Sequence, residues 1–217
     1  MVLDFCSTIF RFQIKPMKKS LVLLSFFLLL VQMQAQDIQL LNRIKAANGK
    51  KTTIECDITK TLTKSNKTVS QDGKLYFVSP NEFSAQFTSG DYMIVNEKKI
   101  KVDIGLFHGT FKLRDGSKIE SLGNIFLYAF QGRIQDLADE NNFDLTTETK
   151  GGYHIVTGTN NKKKLIGIGY KKTVFKFQAE TLLLKEIILY DHKGNIDAYK
   201  MSNIKYNVPV DRKIFQF

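Results

Sequence analysis

The segment Lys74–Val95, KLYFVSPNEFSAQFTSGDYMIV, constrains the fold more than any other stretch. Leu75 and Phe77 alternate with Tyr76 and Val78; beyond Pro80, Phe83, Ala85 and Phe87 alternate with Ser84 and Gln86. A period of two places Phe83, Ala85 and Phe87 on one face of a sheet. Pro80 has no backbone donor, so it marks a bulge, an edge or a corner. Ser89-Gly90-Asp91 has turn chemistry, since glycine reaches positive φ at little steric cost, and Tyr92–Val95 returns as a third strand. Two phenylalanines on one face of a short strand need a dry environment. That environment is either a packed core or an apolar cavity that receives a ligand, and this segment alone leaves both open.

Ahead of it, Met17-Lys18-Lys19 and the apolar run from Ser20 to Val31 have the charged and hydrophobic parts of a secretory signal. Ala35 supplies the small residue before a cleavage site. The run is too short and wrongly flanked for a membrane span. Gln36 stands where a lipid-anchored protein would need cysteine. The organisation expected is therefore a leader over residues 1–35, with Met17 as the true start, and one domain over residues 36–217 in the periplasm. Cleavage would remove four basic residues (Arg11, Lys15, Lys18, Lys19) and one acidic residue (Asp4), so the formal net charge of +11 falls by three to +8. A basic exported protein suits anionic lipid head groups or acidic partners. Nucleic acid is not expected: the lysines are scattered along alternating strands, with no helix-turn-helix, RNP or zinc motif.

Hydrophobic periodicity orders the remainder. Residues 37–48 fit a short amphipathic helix ended by Asn48-Gly49. Lys50–Thr63 switches to a strand, with Ile54, Cys56 and Ile58 on one side, and Ser65-Asn66-Lys67 forms its turn. Ile100, Val102 and Ile104 alternate as a fourth strand, and Gly105–Gly116 reads as irregular, with Asp115-Gly116 as a turn. Ser121–Glu140 has the i, i+3, i+4, i+7 spacing of a long amphipathic helix, with a break expected at Gly132. Strands follow at Phe143–Thr149, Tyr153–Gly158, Leu165–Gln178, Leu182–Tyr190 and Ile196–Tyr206, the last two joined by a hairpin at Asp191–Asn195. The fold class is mainly β with helices (α+β): one strongly curved antiparallel sheet with helices against one face.

Catalytic chemistry is not expected. His108, His154 and His192 sit in unrelated contexts, and no G-x-S-x-G, HExxH or CxxC motif occurs. Cys56 alternates with isoleucines and reads as a small buried hydrophobe rather than a reactive thiol. Gly167-Ile168-Gly169 lies inside a strand pattern, so it is not a dinucleotide loop. No catalytic residue, metal site or cofactor is assigned.

Taken in order, the signal, the first helix, LYFVSPNEFSAQF, the mid-chain helix and the end LLLKEIILYDHKGNIDAYKMSNIKYNVPVDRKIFQF resemble the LolA-type outer-membrane lipoprotein carrier proteins. Pro80, Asn81 and Phe83 match that family's strand ending in Pro and the strand after it. Asp191, Gly194, Asn207, Phe215 and Phe217 match its C-terminal hairpin and Phe-x-Phe end. The resemblance implies a half-open antiparallel β-barrel lidded by helices and no enzymatic activity. Its apolar cavity would shuttle acylated lipoproteins, as a monomer, from an inner-membrane donor complex to an outer-membrane acceptor. On this resemblance Leu75, Phe77, Phe83, Phe87, Ile94, Ile187 and Leu189 line the cavity, and Leu122, Ile125, Phe126, Phe130 and Ile134 form the lid, with Gly123 and Gly132 as soft points. Family members often carry Arg directly before the Pro as a bond to the lid. Ser79 stands there, so closure is expected to rest on apolar contact alone. Two alternatives stay open: a carrier of another lipid, and an envelope interaction module with a packed core and no ligand.

Overall fold

The computed structural model describes residues 37–97, 99–104, 107–112, 118–160 and 170–216; of residues 107 and 118–121 it describes the backbone alone. The expected signal segment, the Asp115-Gly116 turn, Gly167-Ile168-Gly169 and Phe217 lie outside the described residues. Of two compact units, Met1–Ile38 and Gln39–Phe217, the first contributes only Asp37 and Ile38 to them, at the start of helix α1 (residues 37–48).

The second unit carries an 11-stranded sheet. Its first six strands are β1 (Thr53–Lys64), β2 (Lys67–Val78), β3 (Glu82–Phe87), β4 (Tyr92–Asn96), β5 (Lys99–Ile104) and β6 (Phe107–Lys112). Helices α2 (Lys118–Phe130) and α3 (Ile134–Asn141) intervene. Then come β7 (Phe143–Lys150), β8 (Tyr153–Asn160), β9 (Tyr170–Gln178), β10 (Leu184–Asp191) and β11 (Ile196–Tyr206). The order is β6-β5-β4-β3-β2-β1-β11-β10-β9-β8-β7, every pair antiparallel. β1 and β11 join the two meanders, and β6 and β7 are the open ends. Among the described residues the sheet is open and accompanied by three α-helices; an open antiparallel sheet with helices is what the sequence predicts.

Local chemistry explains the turns. Ser65 and Asn66 both have positive φ, which a two-residue hairpin requires. That turn is one residue shorter than expected, and β2 starts at Lys67, well before Lys74. The polar residues of its first half hide the alternation. β6 occupies part of the stretch read as irregular, because its Gly and Thr residues give no hydrophobic period. The mid-chain helix breaks as expected: Gly132 has φ +66, and a Cβ there would stand 2.6 Å from the Ile44 carbonyl oxygen of α1. Only glycine lets this corner pack so closely on α1.

One face of the sheet carries the core. Ile54, Cys56 and Ile58 of β1, Leu75 and Phe77 of β2, Phe83 and Phe87 of β3, and residues from β4, β5 and β8–β11 form a continuous buried cluster with all three helices. A single cluster shared from β5 to β8 requires the sheet to curl around it, as large sheets do. The other face is polar along β1. Glu55 meets Lys205 at 2.9 Å, Asp57 pairs with Lys74, and Thr59 donates to Asp72 at 2.7 Å, each pair directly opposite in register. A one-residue bulge on β11, with Asn203 at positive φ, aims the Asn203 amide at Asp57 (2.6 Å).

Candidate functional site

Beneath α2 the concave face is aromatic. Phe77 and Phe83 are directly opposite each other on β2 and β3. Phe126 and Phe130, four residues apart on α2, lie on top of them. The Phe126 ring stacks on Phe83 at 4.9 Å and meets Tyr199 of β11 edge-on at 4.9 Å; Phe130 lies 5.3 Å from Phe77. All four phenylalanines are fully buried or nearly so. Each ring pair is worth about 0.5–1.5 kcal/mol beyond its area burial.

Most of the expected lining is brought together here. Leu75, Phe77, Phe83, Phe87, Ile187 and Leu189 share one cluster with Ile125, Phe126, Phe130 and Ile134, and Leu122 packs against it partly buried. Ile94 does not join them. Met93 and Val95 point into this cluster, so the alternation of β4 turns Ile94 to the opposite face, across from Ser84. There it packs with Val78 and Phe215. The sequence assignment of Ile94 to the cavity is corrected by one step of register. Gly123, expected as a soft point, is buried.

The helices are fastened by more than apolar contact. The Gln131 side-chain amide, at the α2–α3 break, donates to the Pro80 carbonyl at 2.8 Å and to the Leu127 carbonyl at 2.9 Å. The corner that lacks an arginine at position 79 is thus tied through its own backbone oxygen, by a neutral hydrogen bond. Lys45 of α1 approaches Asp136 of α3 at 3.2 Å, and Arg133 meets the same carboxylate at 2.6 Å. Bonds from Arg133 and Lys45 hold the Asp136 carboxyl below the usual range. Asn48, buried at the end of α1, donates to Ile44 O at 2.8 Å and to Leu182 O at 2.7 Å, anchoring α1 to the β9–β10 turn. Sequence reasoning missed Gln131; its place beside the glycine of a predicted helix break is the only signal that could have found it.

Polar chemistry is dispersed. His108 of the edge strand β6 pairs with Asp103 of its neighbour β5 at 2.6 Å, His154 bonds Thr149 at 2.8 Å, and His192 sits in the β10–β11 turn. Burial, then the neighbouring Asp57 charge, pushes the Cys56 thiol up to about 12, so it stays protonated and unreactive. Among the described residues no cluster of His, Cys, Asp and Glu could hold a metal ion. An open groove of about 600 Å³ is lined largely by outward-facing Asp57, Thr59, Asp72, Lys74 and Ser202, whose charges include the Asp57–Lys74 pair.

Residues 49–217 match the family described as outer membrane lipoprotein carrier protein LolA. The chain belongs to that family. Among curated proteins nothing matches. Similar solved structures include a LolA superfamily protein from Nitrosomonas europaea, 8% identical, covering 82% of this chain and 96% of that one at a TM-score of 0.41. An uncharacterised conserved protein from Thermus thermophilus is 10% identical over 84% of this chain and 94% of its own, with a TM-score of 0.48. The MucA/MucB complex of Pseudomonas aeruginosa matches at 9% identity over 82% of this chain and 60% of that chain, with a TM-score of 0.45. Among the described residues no helix is long and apolar enough to cross a membrane.

Proposed function

We propose that this protein is a non-enzymatic carrier that holds the acyl chains of a lipoprotein, or of another lipid, between α2 and the concave face of its sheet. It would act as a monomer in the periplasm after cleavage behind Ala35, receiving cargo at the inner membrane and releasing it at the outer membrane. Membership of a family described as lipoprotein carriers supports this. The observation that carries it is the aromatic double layer. Phe77 and Phe83 belong to a continuous sheet, while the rings that cover them belong to a short helix with a glycine break behind it. Apolar burial, the larger part of what holds these rings, is non-directional, so an acyl chain can take the place of Phe126 and Phe130. Each buried methylene contributes about 0.8 kcal/mol, so a long chain offsets the contacts it displaces.

Complete burial of the same rings also favours the second reading, a packed interaction module without a ligand. Native mass spectrometry of the protein purified from its envelope separates the two. Bound lipid that leaves on denaturation supports the carrier; a clean apo mass, with no uptake of added acyl lipid, supports the module. Sequencing the N-terminus of the exported protein tests the cleavage site, with Gln36 expected first.

A further inference from the structure

One cation faces the wrong way for a surface lysine. Inward positions of β1 run Ile54, Cys56, Ile58 and then Lys60, which is only 6% exposed. Its ammonium lies over the Phe87 ring at 5.7 Å. Among the described residues no carboxylate stands within ion-pair distance of it. Outward lysines of the same sheet behave differently: Lys74, Lys176 and Lys205 each meet a carboxylate directly across the ladder. A ring face compensates a desolvated ammonium only in part, and a buried charge without an anion is costly.

The neighbours of Lys60 are donors as well. Directly opposite it on β11 is Tyr199, whose ring touches Phe126. Burial, with Tyr170 and Asp197 beside it, raises the Tyr199 phenol well above its ordinary value, so it remains a proton donor. Opposite on β2 is Gln71, held by Asp91 (3.1 Å) and Ser89 (2.8 Å). Asp91 and Asp197 bring negative charge to the same end of the sheet, which disfavours small free anions and leaves the apolar wall to supply most of the affinity.

We propose that Lys60 and Tyr199 form a head-group site for the anionic end, carboxylate or phosphate, of an amphiphile whose chain lies beneath α2. The ammonium offers a charge-assisted bond and the phenol a second donor, where the aromatic layer of Phe83, Phe126 and Tyr199 ends. This rests on the carrier reading and narrows its cargo to acidic lipids.

The test is calorimetric titration of the purified protein, below the aggregation concentration of each probe, with palmitate, hexadecyl phosphate, hexadecanol and inorganic phosphate. Palmitate, hexadecyl phosphate or both should bind roughly tenfold or more tightly than hexadecanol, as a charge-assisted bond predicts, and whichever binds best identifies the head group. Lys60→Met should erase that margin without weakening hexadecanol, and Lys60→Arg should keep most of it. Equal binding of the three chains to the wild type overturns the head-group site and leaves the carrier intact. No binding by any chain overturns both. Inorganic phosphate binding as tightly as hexadecyl phosphate overturns the amphiphile in favour of a free anion. The wild-type comparison decides the matter even if a variant does not fold.

Discussion

Strands β2–β4 carry an apolar patch on each face, and the two patches are covered in different ways. The concave patch lies under α2, held by ring contacts and the Gln131–Pro80 bond. The other, built on Val78 and Ile94, lies under the C-terminal segment, where Phe215 is buried at the end of a short 3-10 helix, Arg212–Phe215. That second cover is fixed by directional bonds: Asn96 donates to Phe215 O at 3.1 Å, Thr53 to Val208 O at 2.6 Å, and Arg212 pairs with Glu82. Asp211 caps the 3-10 turn through Lys213 N at 2.9 Å. Directional bonds specify one position, whereas apolar contact accepts any surface of similar shape. The C-terminal cover thus rests on several directional bonds, whereas the concave one rests chiefly on ring contacts with the Gln131–Pro80 bond beside them; on the carrier proposal it is the concave cover that a ligand replaces.

The largest effects should come from removing the rings. Phe126→Ala and Phe215→Ala should each cost about 3–5 kcal/mol of lipid-free stability in denaturant unfolding. Saturating acyl lipid should restore most of the loss in Phe126→Ala and none of it in Phe215→Ala. Equal behaviour of the two would erase the distinction between the covers. Next in size, hydrogen exchange in Lys118–Phe130 should rise on lipid binding, while Leu184–Tyr206 and the Arg212–Phe215 turn stay protected. A helix as protected as those strands with and without lipid would rule out its displacement.

Smaller effects sharpen the comparison. Gln131→Ala should lower the cost of opening α2 by about 1 kcal/mol, the usual worth of one hydrogen bond. Asn96→Ala should lower global stability by about the same amount and leave opening of α2 unchanged. Smallest is the acid response of the α1–α3 contact. The folded pKa of Asp136 lies below its ordinary value of 3.8. Its contribution is therefore complete above the unfolded value and is lost as pH falls through the lower, folded one. Partly exposed pairs are worth under about 1 kcal/mol, so Asp136→Asn should remove a fraction of a kcal/mol near neutrality and nothing in strong acid, where the two stability curves should converge.

Period and punctuation made much of this fold legible. Ile54, Cys56 and Ile58, the Phe83–Phe87 strand, the Asp191–Asn195 hairpin and the Gly132 break each carry a strict local signal, and each forms as read. The first half of β2 and all of β6 were hidden because the described side chains on them are mostly exposed and polar, leaving no alternation. Ile94 was misassigned by a single position, which in a strand means the opposite face. Gln131 and Lys60 fall outside what local pattern can give. The meaning of Gln131 depends on a carbonyl 51 positions away, and that of Lys60 on the cross-strand register that brings Phe87 under it.

A sheet left open has a further cost. Closed barrels have no ends, but here β6 and β7 each present an unpaired side among the described residues, a template onto which a second chain could add. The sequence blunts both margins with exposed charged and polar residues: Asp144, Glu148 and Lys150 on β7, and His108 and Lys112 on β6. Exposed charges on an open edge disfavour strand-by-strand polymerisation. Replacing Asp144, Glu148 and Lys150 together by threonine or valine would leave the fold intact and turn its margin into a seed for aggregates.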